Sequence, residues 1–153
     1  MSKLNSLPRV RAAAIIQRGN SILMVRHEKG DSSYWLLPGG GVDLGETLHE
    51  AVIRELKEEV SLEIRPGAMV FVSESIAPDD SRHMIQCCFL AEIVSGEVAL
   101  GIDERVVEAA FVSVEELGDL EVHPPLNNEL IDGIRNGFDT DAGYIKNRWV
   151  DRK

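Results

Sequence analysis

The stretch LPGGGVDLGETLHEAVIRELKEEVSL, Leu37 to Leu62, constrains this chain more than any other. Thr47 followed three residues later by Glu50 is a capping-box start, so a helix is expected from about residue 48. On a wheel of about 100° per residue, Leu48, Ala51, Val52, Leu56, Val60 and Ile53 mark one apolar arc. Glu50, Arg54 and Lys57 fall opposite it, which sends Arg54 to the solvent side. Glu55 and Glu59 fall inside the apolar arc, and Glu58 lies at its edge. An acidic run is usually a solvated face, but this geometry opposes that reading. Glu55 repels Glu58 and Glu59 by about 0.2–0.5 kcal/mol each. Glu58 and Glu59 also sit near the helix C-terminus, where the macrodipole disfavours anions. Partial burial of carboxylates adds a larger cost. A bound divalent cation would remove all three penalties, and an all-oxygen donor set points to Mg²⁺ or Mn²⁺.

Gly39, Gly40 and Gly41 precede this helix. They allow a tight turn and close approach of the backbone to an ion or a phosphate, and a backbone carbonyl there could complete a metal shell.

The rest of the chain reads as one domain. Residues 9–17, RVRAAAIIQ, form a largely buried strand, and RGNS turns it into ILMVRH as a hairpin. WLLP is a short extended piece. AMVFVSESIA (68–77), RHMIQCCFLAEIV (82–94), VAL (98–100) and EAAFVSV (108–114) read as extended, with PDDS and SGE as turns. VEELGDL is a short helical turn. Pro124 and Pro125 open a last helix, LNNELIDGIRN, which Gly137 stops. Strands and helices that do not alternate one for one imply a mixed sheet covered by helices, an α/β fold. The domain is expected to span residues 1–153, with its core over about 8–137 and a less diagnostic tail at 138–153.

Lys and Arg number 16 against 26 Asp and Glu, a formal net charge of -10. That balance argues against stable nucleic-acid or anionic-membrane binding, and a polyanionic substrate would need cations as mediators. No apolar run approaches a membrane span, and MSKLNSLPRV lacks the apolar core of a secretion signal, so the chain reads as cytoplasmic. Cys87 and Cys88 are adjacent and would point to opposite faces of a strand. They read as free thiols rather than a bridge or a nucleophile.

Gly40, five residues, Glu46, seven residues, then Arg54-Glu55-Leu56-Lys57-Glu58-Glu59-Val60-Ser61-Leu62 resembles the signature of the Nudix hydrolases. One fixed position departs: Ser61 stands where the pattern has glycine. Glycine would suit a left-handed helix exit, so Ser61 must accept strain of roughly 1 kcal/mol or leave by another turn. YWLLPGG before the box and EAAFVSVEEL after it are also similar to the family's surroundings.

The resemblance implies a Nudix-type α/β/α sandwich with the acidic helix packed on its mixed sheet. It implies Mg²⁺- or Mn²⁺-dependent hydrolysis of a nucleoside diphosphate linked to another group. Glu55, Glu58 and Glu59 would bind metal with the Gly39 carbonyl. Arg54 would orient them, with Glu46 as its structural partner. Glu55 or Glu104 would act as general base, with Glu108 a weaker choice and Glu58 in the same catalytic set. Arg26, Gly40 and Gly41 would meet substrate; Arg18, His27 and Lys29 are further phosphate candidates that more often prove to be plain surface. Trp35 and Tyr34 could stack on a base, although a tryptophan here is more often core. His49, His83 and His123 show no ligand spacing. Pro78, sixteen residues past the box, tilts the reading towards ADP-ribose or a related nucleotide sugar. The alternatives are a MutT-like nucleoside triphosphate pyrophosphohydrolase and a non-catalytic nucleotide-sensing module. Many relatives are dimers, so a homodimer is the expected assembly.

Overall fold

The computed structural model describes residues 7–138 and 143–146. The strands are β1 (Arg9–Ile15), β2 (Gln17–Arg18), β3 (Ser21–Lys29), β4 (Ser32–Leu36), β5 (Gly39–Gly41), β6 (Glu63–Ile76), β7 (His83–Ser95), β8 (Val106–Ser113) and β9 (Gly143–Lys146). The helices are α1 (Leu48–Val60), α2 (Val114–Leu117) and α3 (Asn127–Asn136). One mixed sheet runs β5-β1-β7-β6-β9, with β1 parallel to β7 and β6 parallel to β9. In the second, antiparallel sheet β3 is central, pairing with β2, β4 and β8.

Strand alternation divides the interior into two cores. Ala12 and Ala14 of β1 join Leu23, Val25, Ala51, Val52, Leu56 and Val60 beneath α1. Ala13 and Ile15 face the other way, onto Ile22, Met24, Leu117, Leu130 and Ile134 beneath α2 and α3. The result is the expected α/β/α sandwich. Three consecutive alanines are fully buried because β1 is covered on both faces. Cys87 and Cys88 are buried and free, and burial pushes the Cys88 thiol up to about 12.

Helix α1 begins as its sequence dictates. Thr47 Oγ1 accepts from the Glu50 amide at 3.1 Å, and Glu50 Oε1 accepts from the Thr47 amide at 3.1 Å. At the other end Ser61 takes the left-handed conformation, φ 63 and ψ 30, and so accepts the strain a glycine would avoid.

Two expectations are corrected. Residues 98–100 form no strand. The loop they lie in runs along the end of α1, where the Ala99, Gly101 and Ile102 amides donate to the carbonyls of Val60, Glu59 and Glu58 at 3.1, 3.0 and 2.9 Å. The unpaired carbonyls at a helix C-terminus thus gain donors from a segment some forty positions away. A Cβ at Gly101 would lie 1.9 Å from the Glu58 carbonyl oxygen, so only glycine lets the loop come this close. The glycines 39–41 are also more than a turn: they form β5, paired antiparallel with β1.

Candidate active site

The apolar arc carries Glu55 and Glu59 inward, as the wheel requires. Glu59 is 1% exposed and Glu55 9%. Burial holds the Glu55 carboxyl above its ordinary range, against the opposing pull of Arg54. A Cβ on Gly40 would fall 2.3–2.5 Å from the Glu55 carboxylate atoms, so that carboxylate fills the space a side chain would need. At Gly39 a Cβ would meet the Ala12 carbonyl oxygen at 2.2 Å. This close fit lets the Gly39 amide donate to Glu59 Oε1 at 2.6 Å.

Arg54 ties the box together. Its Nε and Nη2 donate to the two oxygens of Glu46 at 2.8 and 2.9 Å, and Nη2 also donates to the Gly41 carbonyl at 3.0 Å. Nη1 donates to Glu55 Oε1 at 2.8 Å and reaches Glu58 Oε2 at 3.4 Å. The wheel sends this side chain away from the carboxylates, but a wheel places only the Cα–Cβ direction. The long arginine stem bends back, and the guanidinium serves the Gly41 backbone, Glu46, Glu55 and Glu58 at once. Arg54 in turn holds the Glu46 carboxyl down at about 2, helped by the Asp43 amide.

A model of the NUDIX domain matches residues 7–133. The chain belongs to the Nudix hydrolase family. Over 114 residues it is 34% identical to an ADP-ribose pyrophosphatase of Methanocaldococcus jannaschii, covering 74% of this chain and 66% of that protein. Over 131 residues it is 30% identical to an NAD-capped RNA hydrolase NudC of Pseudomonas entomophila, covering 84% of this chain but 46% of that one. The chain thus spans less than two thirds of either curated relative. Among solved structures, a NUDIX hydrolase from Nitrosomonas europaea superposes with a TM-score of 0.76 at 23% identity, over 86% of this chain and 91% of that one. A MutT NUDIX hydrolase from Burkholderia pseudomallei superposes with a TM-score of 0.71 at 27% identity, over 82% and 97%.

Beyond the Nudix box, the expected residues divide. Glu104 is exposed in the loop whose Gly101 and Ile102 amides are fastened to the end of α1. Beside it Asp103 holds Arg105 through two side-chain hydrogen bonds of 3.1 and 2.8 Å. Arg26 is not gathered with the box carboxylates. Its guanidinium is taken by Glu108 at 3.0 Å and Glu28 at 2.8 Å, and strand alternation points it away from the face that His27 shares with Leu23 and Val25. Glu108 lies with it. Trp35 packs on the second core, and Tyr34 is buried and stacked on His123 with ring centroids 4.5 Å apart.

Two buried residues that sequence reasoning passed over stand next to the Nudix glutamates. His27, read only as a surface phosphate candidate, is 8% exposed and places Nε2 3.6 Å from Glu59 Oε2. Arg11, read only as part of a strand, is 9% exposed and bonds to Gln86 and to the Leu37 and Gly39 carbonyls. A charged residue directly before AAA, in a strand covered on both faces, was the available signal.

The carboxylates are spread among Arg54, the Gly39 amide and solvent. Among the described residues no group of three or more His, Cys, Asp or Glu side chains closes into a cage. The donor chemistry still fits a hard dication: Arg54 engages one oxygen each of Glu55 and Glu58, the Gly39 amide engages one of Glu59, and burial disfavours the bare Glu55 anion. Among the described residues no helix is long and apolar enough to cross a membrane.

Proposed function

We propose that this Nudix protein hydrolyses the pyrophosphate bond of a nucleoside diphosphate joined to a further group, with ADP-ribose the leading substrate and Mg²⁺ or Mn²⁺ required. One observation carries the reading: a single guanidinium holds Glu46, Glu55, Glu58 and the Gly41 carbonyl together, so the box carboxylates share one face beside Gly39 and Gly40. The similarity to the Methanocaldococcus jannaschii ADP-ribose pyrophosphatase, and Pro78 in the turn between β6 and β7, favour ADP-ribose over the alternatives.

Glu55, Glu58 and Glu59 would hold the dication, while the Gly39 carbonyl expected beside them accepts from Arg11 Nη2 at 3.0 Å. When bound, it neutralises phosphate charge and acidifies water. The chain's own residues do the rest. Arg54 and Glu46 fix the carboxylates, and the Gly39 amide fixes Glu59. Arg105, braced by Asp103 and close enough to Glu59 and Glu55 to interact with them through space, would offer a cation to a phosphate oxygen. Glu104 or Glu55 takes the proton of the attacking water at a carboxylate oxygen. The water oxygen bonds to one phosphorus, and the bridging oxygen leaves with the other phosphate. From ADP-ribose the products are AMP and ribose 5-phosphate.

The test is a panel under Mg²⁺ and Mn²⁺: ADP-ribose, nucleotide sugars, ordinary and oxidised nucleoside triphosphates, dinucleoside polyphosphates and NAD-capped RNA. The expected result is the highest kcat/KM on ADP-ribose or a nucleotide sugar. Preference for a triphosphate would replace the substrate assignment. Binding without cleavage of every compound would make the protein a nucleotide sensor.

A further inference from the structure

A buried chain of polar groups leads into the box from the side opposite α1. The Gln86 amide nitrogen lies 3.5 Å from Cys88 Sγ, and Gln86 Oε1 accepts from Arg11 Nη1. Arg11 Nη2 then donates to the Leu37 carbonyl at 3.1 Å and the Gly39 carbonyl at 3.0 Å. Between them, the Pro38 carbonyl accepts from the Ala14 amide at 2.9 Å. Three successive carbonyls, 37, 38 and 39, are therefore pinned, two of them by one guanidinium. The Gly39 N–H shares its rigid peptide plane with the Pro38 carbonyl, which Ala14 holds, and Arg11 holds the carbonyls of the planes on either side, so this N–H is braced from both flanks. It points at Glu59 Oε1, 2.6 Å away.

The location makes this unusual. Each direct acceptor of Arg11 is a neutral oxygen, and a buried guanidinium without a carboxylate in contact is costly. The carboxylates that offset its charge, Glu59 and Glu55, act through space. Arginine is also the only side chain whose planar fork serves several fixed oxygens from one buried position.

We propose that Arg11 is a positioning residue for Glu59, acting through the Leu37–Gly39 backbone and touching neither substrate nor reacting atoms. It braces the two peptides that flank the Gly39 N–H, which holds Glu59 in one rotamer; the carboxylate's other oxygen, 3.6 Å from His27 Nε2, would take the dication. The proposal rests on the reading of Glu59 as a dication ligand.

The experiment uses the full chain with Arg11→Lys, which keeps a charge but cannot fork, and Gln86→Leu, which leaves Arg11 in place with one anchor fewer. Three quantities are read: hydrogen exchange of the Gly39 amide without metal, Mn²⁺ affinity by electron paramagnetic resonance, and kcat and KM across a Mn²⁺ series. Glu59→Gln serves as the reference. In Arg11→Lys the Gly39 amide should exchange faster and Mn²⁺ affinity should fall about 10-fold, as for loss of a residue that orients a ligand. Saturating Mn²⁺ should restore most of kcat, with nucleotide KM little changed. Gln86→Leu should shift exchange and affinity the same way by less, and it decides the matter alone if Arg11→Lys does not fold. Wild-type Gly39 exchange and Mn²⁺ affinity in a folded variant would overturn the proposal. If Glu59→Gln also left Mn²⁺ affinity unchanged, the metal reading itself would fall; if it weakened binding while the other two did not, only the role of Arg11 would.

Discussion

Arg54 grips Glu46 through two parallel hydrogen bonds, Nε to Oε2 at 2.8 Å and Nη2 to Oε1 at 2.9 Å. This pairing holds the Glu46 carboxyl at about 2, below its unfolded value of about 4.5. A depressed carboxyl contributes stability that is fully present above the unfolded value and is lost as pH falls through the folded one. The window is therefore about pH 4.5 down to about pH 2. Glu46→Gln should flatten the acid limb of stability across that window, measured as the urea midpoint against pH. An acid limb as steep as that of the unaltered protein would show that the pair does not couple to folding.

Glu59→Gln keeps shape and the Gly39 amide's acceptor but removes charge. Turnover should fall by more than the about 10–100-fold typical of losing a residue that merely supports a ligand, with circular dichroism unchanged. Activity close to normal at saturating Mg²⁺ would take Glu59 out of the metal shell.

Glu104→Gln separates the two candidate bases. If Glu104 takes the proton, kcat should drop about 100- to 10,000-fold while Mn²⁺ affinity holds. If Glu55 does, Glu104→Gln should be nearly silent and Glu55→Gln should depress both kcat and Mn²⁺ affinity.

Gly40→Ala and Gly39→Ala should fail differently. The new methyl at 40 meets the flexible end of Glu55, so the side chain is displaced and activity is lost from a folded protein. The methyl at 39 meets the backbone of Ala12 and Ala13, which cannot yield, and should cost about 1–3 kcal/mol of stability. Thermal melts alongside turnover distinguish the two.

Ser61→Gly removes a side chain from the left-handed exit of α1. Relief of that strain, less the extra freedom glycine gives the unfolded chain, should stabilise by about 0.5 kcal/mol or less. Turnover should not change.

The acidic helix was legible because its information is local. Thr47 and Glu50 cap it, and the 3.6-residue period alone puts Glu55 and Glu59 indoors. Arg54 was misplaced because a wheel carries no side-chain length. Arg11 was invisible because its meaning lies in Gln86, seventy-five positions away, and in carbonyls that any residue could supply. Residues 98–100 look like a strand in composition, but their segment hydrogen-bonds to the end of α1 instead. Pairing between β3 and β8 sets Glu108 against Arg26, a cross-strand contact that their spacing in the sequence does not announce.

The segment that crosses the end of α1 is exposed at Leu100, Gly101 and Ile102, yet three of its amides are stitched into the helix that carries the Nudix-box glutamates. An engineer seeking a site for a tag or an inserted domain would choose it for its accessibility and would be misled. Lengthening it by even one residue would slip the stitches and loosen the final turn bearing Glu58 and Glu59, whereas the turn at residues 77–82 closes on itself, Ala77 N–H to the Arg82 carbonyl at 2.9 Å.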